Sequence, residues 1–183
     1  MNLTHHFLIS MPQMQDTGFR NSVVYILDHC EQGAFGVIVN AALGMNFESL
    51  LSQINIKIDA ESARNTTVLR GGPVDEGHGL VLHEPGPSFE TTREFAHGVS
   101  LSSSRDVLEA IARGEEPSTY LVVLGHSGWA PGQLEMEVAE NAWLTCQADT
   151  DILFKTPLQN RRQAVASLIG IDMSNVVGHS GHA

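Results

Sequence analysis

Apolar and polar positions along the chain form two kinds of pattern, continuous β-forming runs and runs at helical spacing. Residues 22–28 and 35–40 are two runs of β-branched, aliphatic and aromatic residues, and Glu31-Gln32-Gly33 between them has the composition of a turn. This pattern predicts a β-hairpin over residues 22–40. Residues 120–124, Tyr-Leu-Val-Val-Leu, are apolar at every position, which is typical of a central strand buried on both faces.

Shorter runs predict further strands, and apolar residues spaced three and four apart predict helices. Helices are predicted over residues 47–54, from Ser103, from Pro131 and from Thr156. In the last of these, Thr156 is expected at the N-cap, Pro157 at the first helical position and Gln159 in the capping box. The other predicted strands cover residues 8–12, 67–70, 79–83, 142–147 and 152–154, with a strand pair around Gly98.

The order of these elements indicates the fold class. Strands and helices do not alternate regularly enough for a Rossmann or TIM arrangement, because hairpin-like strands cluster early and helices come late. We therefore expect an α+β fold, with a mixed, curved sheet and helices packed outside it. No repeat, low-complexity block or linker divides the chain, so its 183 residues are predicted to form a single domain, residues 1–183.

Composition indicates the compartment. Hydrophobic residues make up 42% of the chain without any apolar run of membrane-spanning length, and residues 1–6 lack a cationic segment and a cleavage site. No membrane span and no secretory signal are expected, and the expected localisation is cytoplasmic. Cys30 and Cys146 lie outside any C-x-x-C pair, so both are expected to be free thiols that act as small core residues.

The charge of the chain restricts its partners. Ten Lys and Arg stand against 21 Asp and Glu, a formal net charge of −11. A protein that binds duplex DNA needs a basic stripe that releases counterions, and the basic cluster here is limited to Arg161-Arg162. We expect no direct binding of nucleic acid, and a protein or small-molecule partner instead.

Residues 125–143 contain the most informative motif. Gly125-His126-Ser127-Gly128 follows the predicted central strand and resembles the nucleophile elbow G-x-S-x-G, with Asp149 or Asp172 and then His179 or His182 in the right order for a triad. Trp129, however, occupies the fifth position, where the elbow needs a very small residue. We interpret the segment as a turn that ends a strand, and we assign no catalytic residue.

Two other motifs are assigned structural roles. Gly71-Gly72-Pro73 lacks the Gly-Lys-Ser/Thr ending of a phosphate loop and is interpreted as a turn. The histidines, among them the pairs His5-His6 and His179/His182, are not joined by Cys or carboxylates at ligand spacing. We therefore predict no metal site and no cofactor.

A candidate binding groove follows from the remaining features. Both tryptophans of the chain fall within residues 129–143, and Gln133, Glu137 and Asn141 between them are spaced to share one face of a helix. We hypothesise a shallow groove where this helix meets two strand-end turns, with Trp129 as an aromatic wall. The alternative is that both tryptophans are core residues and the polar stripe satisfies buried backbone groups. The candidate residues are Met11, Pro12, Gly71, Gly72, Pro73, Gly128, Trp129, Gln133, Glu137 and Asn141.

Several segments together resemble the bacterial AlgH/YqgE family, collinearly over essentially the whole chain. They are residues 7–16 with 22–25 and 33–40, residues 70–74 with 79–83, Gly128-Trp129 with residues 132–135, 137 and 141–144, and the closing residues 181–183. The chain departs from the family pattern at His126-Ser127, where Tyr-Ala is usual, and around Arg162-Gln163, where an aromatic residue is usual. The first departure weakens the interpretation of Ser127 as a family nucleophile.

The resemblance implies a compact α/β sandwich with a barrel-like sheet and a bacterial cytoplasmic protein, linked by the family name to regulation of alginate production. The resemblance implies no particular biochemical activity. We expect a non-enzymatic regulatory or interaction module that binds a protein or small ligand. The alternative is an enzyme of unrecognised class that acts on a small metabolite through Glu137, Asn141 or a histidine. A direct DNA-binding regulator is disfavoured by the charge of −11.

Overall fold

The computed structural model describes residues 1–95 and 97–172 and divides the chain into two compact units. The first unit combines residues 1–40 with the residues from Gly128 onward, and the second unit is residues 41–127. The single domain predicted from the sequence stays a prediction beside this division. None of the described helices is long and apolar enough to cross a membrane.

The elements have the following bounds. The strands are β1 His6–Ser10, β2 Val23–Cys30, β3 Gly33–Ile38, β4 Ala42–Asn46, β5 Thr67–Arg70, β6 Val74–His83, β7 Arg93–Phe95, β8 Val99–Ser102, β9 Tyr120–Trp129 and β10 Trp143–Gln147. The helices are α1 Phe47–Gln53, α2 Glu61–Arg64, α3 Arg105–Arg113, α4 Gln133–Ala139, α5 Thr150–Lys155 and α6 Arg161–Ser167, with a 3-10 turn at Leu158–Asn160.

In the first unit, the strands follow the order β10-β1-β2-β3, and each neighbouring pair is antiparallel. The predicted hairpin over residues 22–40 is confirmed, since β2 pairs with β3 from Val24 opposite Ile38 to Cys30 opposite Gly33. Leu153 and Val165, on α5 and α6, are fully buried. Helices therefore cover apolar side chains of this unit.

In the second unit, β9 lies between β5 and β6, and β6 continues to β8 and β7. The β5–β9 pair is parallel and the others are antiparallel, so the sheet is mixed, as predicted. Phe47 and Leu51 of α1 and Val107 and Ile111 of α3 pack in one core cluster with strand residues such as Val122. These contacts confirm the α+β class.

One predicted strand and two predicted element boundaries are wrong. Residues 152–154 are helical, because the Asp149 side chain accepts a hydrogen bond from the backbone N–H of Asp151 at 2.8 Å and caps α5. The final helix does not begin at Thr156, whose backbone is extended. Helical geometry is disfavoured for a residue that precedes a proline. The strand predicted to end at Leu124 continues to Trp129 and passes through Gly125 at a φ of +72°.

The two cysteines differ in environment. Both are free thiols, as expected from their sequence context, but only Cys146 is buried. Cys30 is exposed at the end of β2, beside the hairpin turn. The expectation that both act as core residues is therefore wrong for Cys30, which is exposed where β2 ends.

Candidate functional site

The candidate site is built around α4, which follows the end of β9 and precedes β10, all within the part of the first unit that begins at Gly128. Trp129 is the last residue of β9, and Trp143 is the first residue of β10. Gly132 opens the helix with a φ of +76°, and Asn141 leaves it with a φ of +58°. The chain thus turns sharply at both ends of α4, and the two tryptophans flank the helix.

Glu137 of α4 accepts hydrogen bonds from both tryptophans. Its Oε2 accepts the indole N–H of Trp129 at 2.9 Å and the indole N–H of Trp143 at 2.8 Å. Its Oε1 accepts a hydrogen bond from the side-chain amide of Gln133 at 2.9 Å. The Gln133 carbonyl oxygen in turn accepts the backbone N–H of Ala130 at 2.9 Å, which fixes the orientation of the amide. One carboxylate therefore positions both rings.

Phe19 completes an aromatic cluster with the two tryptophans. Its ring stacks on Trp129 with 5.9 Å between ring centroids and meets Trp143 edge to face at 5.5 Å. Trp129 and Trp143 are themselves edge to face at 6.1 Å. Offset-stacked and edge-to-face geometries are the favourable ones for aromatic pairs, so the three rings stabilise one another.

The loop that carries Phe19 is anchored to the end of α4. The backbone N–H of Met11 donates to the Ala142 carbonyl at 3.0 Å, and the Gln13 side chain donates to the Asn141 carbonyl at 3.1 Å. Asp16 closes the loop locally, since its carboxylate accepts the N–H of Gly18 at 2.8 Å. These bonds hold the loop between β1 and β2 against the residues that follow α4.

The loop, the aromatic cluster and α4 enclose a cavity of about 420 Å³. Three carboxylates line it, those of Asp16, Glu137 and Glu140, and among the described residues its lining contains no cationic side chain. Trp129 and Trp143 line it although only 6% and 3% of their surfaces are exposed. The remaining lining consists of residues 13–15, Phe19, Gly128, Gln133 and Ala142.

The opposite face of α4 is held by a hydrogen bond from His29 to Glu135. Glu135 lies about 200° around the helix from Gln133 and from Glu137. Its Oε1 is 2.9 Å from Nε2 of the buried His29, whose Nδ1 accepts the backbone N–H of Leu3 at 3.0 Å. Nε2 therefore carries the proton donated to Glu135. The pKa of Glu135 is lowered, first by a hydrogen bond with its own backbone and then by His29.

A second concave surface, of about 450 Å³, lies in the second unit and is lined by residues 75–78. These four consecutive residues are all exposed and belong to the irregular part of β6, where the pairing with β9 shifts between Val74 and Gly79. Among the described residues, the lining contains no Phe, Tyr or Trp ring and no residue from a second segment. We therefore place the candidate site in the first unit.

The structure brings four of the predicted groove residues together, because Gly128, Trp129, Gln133 and Glu137 all line the cavity. Met11 and Pro12 directly precede its lining. The predicted helical stripe is wrong at Asn141, because α4 ends at Ala139 and Asn141 has left-handed backbone geometry.

Gly71, Gly72 and Pro73 belong to the second unit. A side chain on either glycine would collide with β9, since a Cβ at Gly71 would lie 2.2 Å from the Gly125 carbonyl oxygen and one at Gly72 2.2 Å from that of His126. The absence of side chains therefore lets this segment pack closely against β9. Its participation in the groove stays a prediction.

Sequence reasoning missed part of the site. Asp16 and Phe19 lie in the polar stretch between β1 and β2, where no periodicity marks a residue as packed. Glu140 lies outside the predicted stripe of Gln133, Glu137 and Asn141. Trp143 was noted as the second tryptophan but was not included in the groove. Trp143 lies near the start of the predicted strand that follows the helix after Trp129, and this position could have indicated that the two rings lie close together.

Ser127 is not a nucleophile on an elbow. It lies within β9 rather than at a strand-to-helix turn, and it is fully buried. Its hydroxyl donates to the Gly71 carbonyl oxygen at 3.0 Å. Asp149, one proposed triad partner, caps α5. The other proposed partners include His179 and His182, which lie outside the described residues.

Residues 1–95 and 97–172 contain no grouping of three His, Cys, Asp or Glu side chains that could hold a metal ion. His5 contacts the Tyr25 hydroxyl through Nδ1 at 2.9 Å, and His6 contacts the Thr4 carbonyl at 3.0 Å. Both members of this pair therefore have local partners.

Comparison with known proteins identifies the family. The AlgH-like family matches residues 7–174. A UPF0301 protein of Thioalkalivibrio sulfidiphilus is 45% identical over 182 residues, which cover 100% of this chain and 97% of that protein. A UPF0301 protein of Burkholderia cenocepacia is 44% identical over 185 residues, which cover 100% and 96%.

Solved structures agree with this assignment. The solution structure of the AlgH protein from Pseudomonas aeruginosa is similar with a TM-score of 0.83 and 41% identity, covering 100% of this chain and 97% of that one. A crystal structure of a protein from Corynebacterium diphtheriae, at 16% identity, matches with a TM-score of 0.70 over 97% and 92% of the two chains, and shows the fold alone. The chain belongs to the AlgH-like family.

Proposed function

We propose that this protein is a non-enzymatic binding module of the cytoplasm, which takes up a small ligand or a segment of a protein partner in the cavity beside α4. The observation that carries the proposal is the arrangement of Trp129 and Trp143 around Glu137. Both indole N–H groups are satisfied internally, so the rings line the cavity as fixed, largely apolar surfaces. Ligand pockets combine such surfaces with a few polar groups and have volumes of roughly 300–1,000 Å³.

Binding accounts for the lining better than catalysis does. Catalysis by a hydroxyl, thiol or amine nucleophile needs that group beside a general base, and the described lining has none of these three groups. Glu137 could serve as an acid or base, but its oxygens already accept three hydrogen bonds, two from the tryptophans and one from Gln133. These contacts favour binding over the alternative of an enzyme acting through Glu137, Asn141 or a histidine.

Charge and thiol state support the remaining parts of the proposal. A net charge of −11 disfavours direct binding to DNA, so a regulatory role would act through a protein or a metabolite. Cys30 and Cys146 are free thiols, which fits a reducing compartment such as the cytoplasm.

The proposal can be tested with the two indole N–H signals of the protein in a ¹⁵N-correlated NMR spectrum. The chain has only two tryptophans, and both line the cavity, so each signal reports on the site. A fragment set with neutral, anionic and cationic members is expected to contain compounds that shift both signals. Gly128→Val, which adds a side chain to the lining, should weaken those shifts.

Gly128 suits this test because a Cβ there meets no heavy atom within 4 Å and its backbone lies in β9. Valine favours strands, so the variant should fold. Ser167→Leu, at an exposed position of α6 in the same unit, is the matched control and should bind like the wild type. The proposal fails if no fragment of any class shifts the indole signals, or if Gly128→Val responds like the control.

A further inference from the structure

The chemical character of the cavity identifies a class of ligand. Resting on the proposed function, we infer that the cavity binds an organic cation, namely a protonated amine or quaternary ammonium group on a short apolar stem. Three carboxylates and three aromatic rings line it, and among the described residues the lining carries no positive charge. This combination attracts a cation and repels an anion.

The carboxylates supply the electrostatic part of the attraction. Asp16, Glu137 and Glu140 surround a volume of about 420 Å³ in a chain whose net charge is −11. Like charges around a partly enclosed space raise one another's energy, and a bound cation relieves that repulsion. A neutral ligand would leave it in place.

The aromatic rings supply the second part. A cation is attracted to the negative face of an aromatic ring, and tryptophan is the strongest of the natural side chains in this respect. Both indole N–H groups donate to Glu137, so neither ring offers the cavity a hydrogen-bond donor suited to an anion. The rings are held by Phe19 and by each other, which reduces the ordering that binding requires.

Glu137 can also accept one further hydrogen bond, from a ligand. A carboxylate has about four acceptor sites over its two oxygens. Oε2 accepts two indole N–H groups, and Oε1 accepts one amide N–H from Gln133. One site on Oε1 therefore remains for the N–H of an ammonium ligand, whereas a quaternary ammonium would use the charge and the rings alone.

The experiment compares two probes that differ in charge but not in shape. Choline and its neutral isostere 3,3-dimethylbutan-1-ol are titrated against the full chain, with tryptophan emission and the indole NMR signals as readouts. Choline is expected to bind about tenfold more tightly than the alcohol, and added salt should weaken choline binding. Butyrate serves as the anionic probe and should not bind.

Variants test the carboxylates. Asp16→Asn with Glu140→Gln removes two charges from the lining without touching the Glu137 hydrogen bonds, and should weaken choline binding by roughly tenfold. Glu31→Gln, at an exposed position of the same unit outside the lining, is the charge control and should bind like the wild type. The source of the cation is distinguished by comparing n-butylammonium, a free amine, with two probes that carry a lysine side chain. These are Nα-acetyl-lysine methylamide and a lysine-containing peptide.

The outcomes separate this inference from the broader proposal. If the alcohol or butyrate shifts the indole signals as strongly as choline does, the cavity binds ligands but the inferred cation preference is wrong. The same conclusion follows if the double variant retains full choline affinity. If no probe of any charge produces a response, the cation preference is overturned, and the response of the full fragment set decides whether the binding function fails with it.

Discussion

Trp129 and Trp143 meet edge to face with their ring planes at 76°, and their indole N–H groups donate to the same atom, Oε2 of Glu137. The two residues are separated along the chain by a helix and two turns. Their common acceptor lies on that helix, so the relative position of the rings depends on where α4 places one carboxylate. The shape of the cavity is set in this way.

Replacement of Glu137 by glutamine should destabilise the protein. A glutamine offers one carbonyl oxygen and an NH₂ group in place of two acceptors, so at least one of the three donors around it loses its partner. The expected cost is about 1–3 kcal/mol in the free energy of unfolding, measured by urea denaturation. Glu140→Gln, on an exposed side chain at the end of α4, is the control and should change stability by less than about 0.5 kcal/mol. Equal stability of the two variants would contradict the role given to Glu137.

Gly72→Ala should severely destabilise the protein. Gly72 has a φ of +151°, and a Cβ there would lie 2.2 Å from the His126 carbonyl oxygen and 2.4 Å from Ser127 Oγ. The expected loss is about 3 kcal/mol or more, seen as a lower melting temperature or poor recovery of folded protein. Gly77→Ala is the control, because a Cβ at Gly77 meets nothing within 4 Å. A wild-type melting temperature for Gly72→Ala would show that the segment does not pack as described.

Ser127→Ala should cost about 1–2 kcal/mol, because the Gly71 carbonyl loses the buried hydroxyl that donates to it at 3.0 Å. Thermal unfolding measures the loss, and Ser62→Ala, at an exposed position of the same unit, is the comparison. The wild type should not react with a fluorophosphonate at Ser127, since this residue is fully buried. Labelling that disappears in Ser127→Ala would restore the nucleophile hypothesis.

The two thiols should react very differently. Cys30 is exposed and should be modified rapidly by a disulfide reagent at about pH 8, whereas Cys146 is buried and should react only after unfolding. Burial raises the pKa of Cys146 from 9.0 to about 11, because the thiolate is poorly solvated there. Titration of free thiols in native and denatured protein checks this difference, and Cys30→Ser should abolish the native reaction. Two rapidly reacting thiols in the folded wild type would contradict it.

The same pKa shift predicts a dependence of stability on pH. A thiol whose pKa is higher in the folded state than in the unfolded state stabilises the protein fully below the unfolded pKa, here 9.0. That contribution is lost as pH rises toward the folded pKa of about 11, because the unfolded chain then ionises more readily. Cys146→Ala should therefore lose less stability over this interval than the wild type does. Parallel losses in the two proteins would exclude the thiol as a cause.

Local patterns predicted much of the fold. The hairpin of β2 and β3 and helix α1 were visible because apolar spacing alone specifies them. Glycine was misleading in β9, where Gly125 was interpreted as the start of a turn. A Cβ at Gly125 would lie 2.8 Å from the Gly72 carbonyl oxygen, so the glycine allows close backbone packing within a continuing strand. That requirement comes from a segment about fifty residues earlier in the chain and leaves no local pattern.

The candidate site was predictable only in part, for a similar reason. Trp129, Gln133 and Glu137 were found because they lie close together in sequence at helical spacing. Phe19 reaches the same cluster from a loop more than a hundred residues away, with 5.9 Å between its ring centroid and that of Trp129. Such a contact depends on β1 pairing with β10, which a single sequence does not reveal.

The shared acceptor at Glu137 has a consequence for how this protein can change over generations. A descendant that loses the carboxylate leaves two buried indoles without an acceptor, and one that loses a single tryptophan loosens the ring that remains. Each single step is costly, whereas a joint replacement of all three residues by a well-packed apolar set need not be. Positions 129, 137 and 143 are thus expected to be conserved or substituted together, so a homologue with a different pocket should differ at all three.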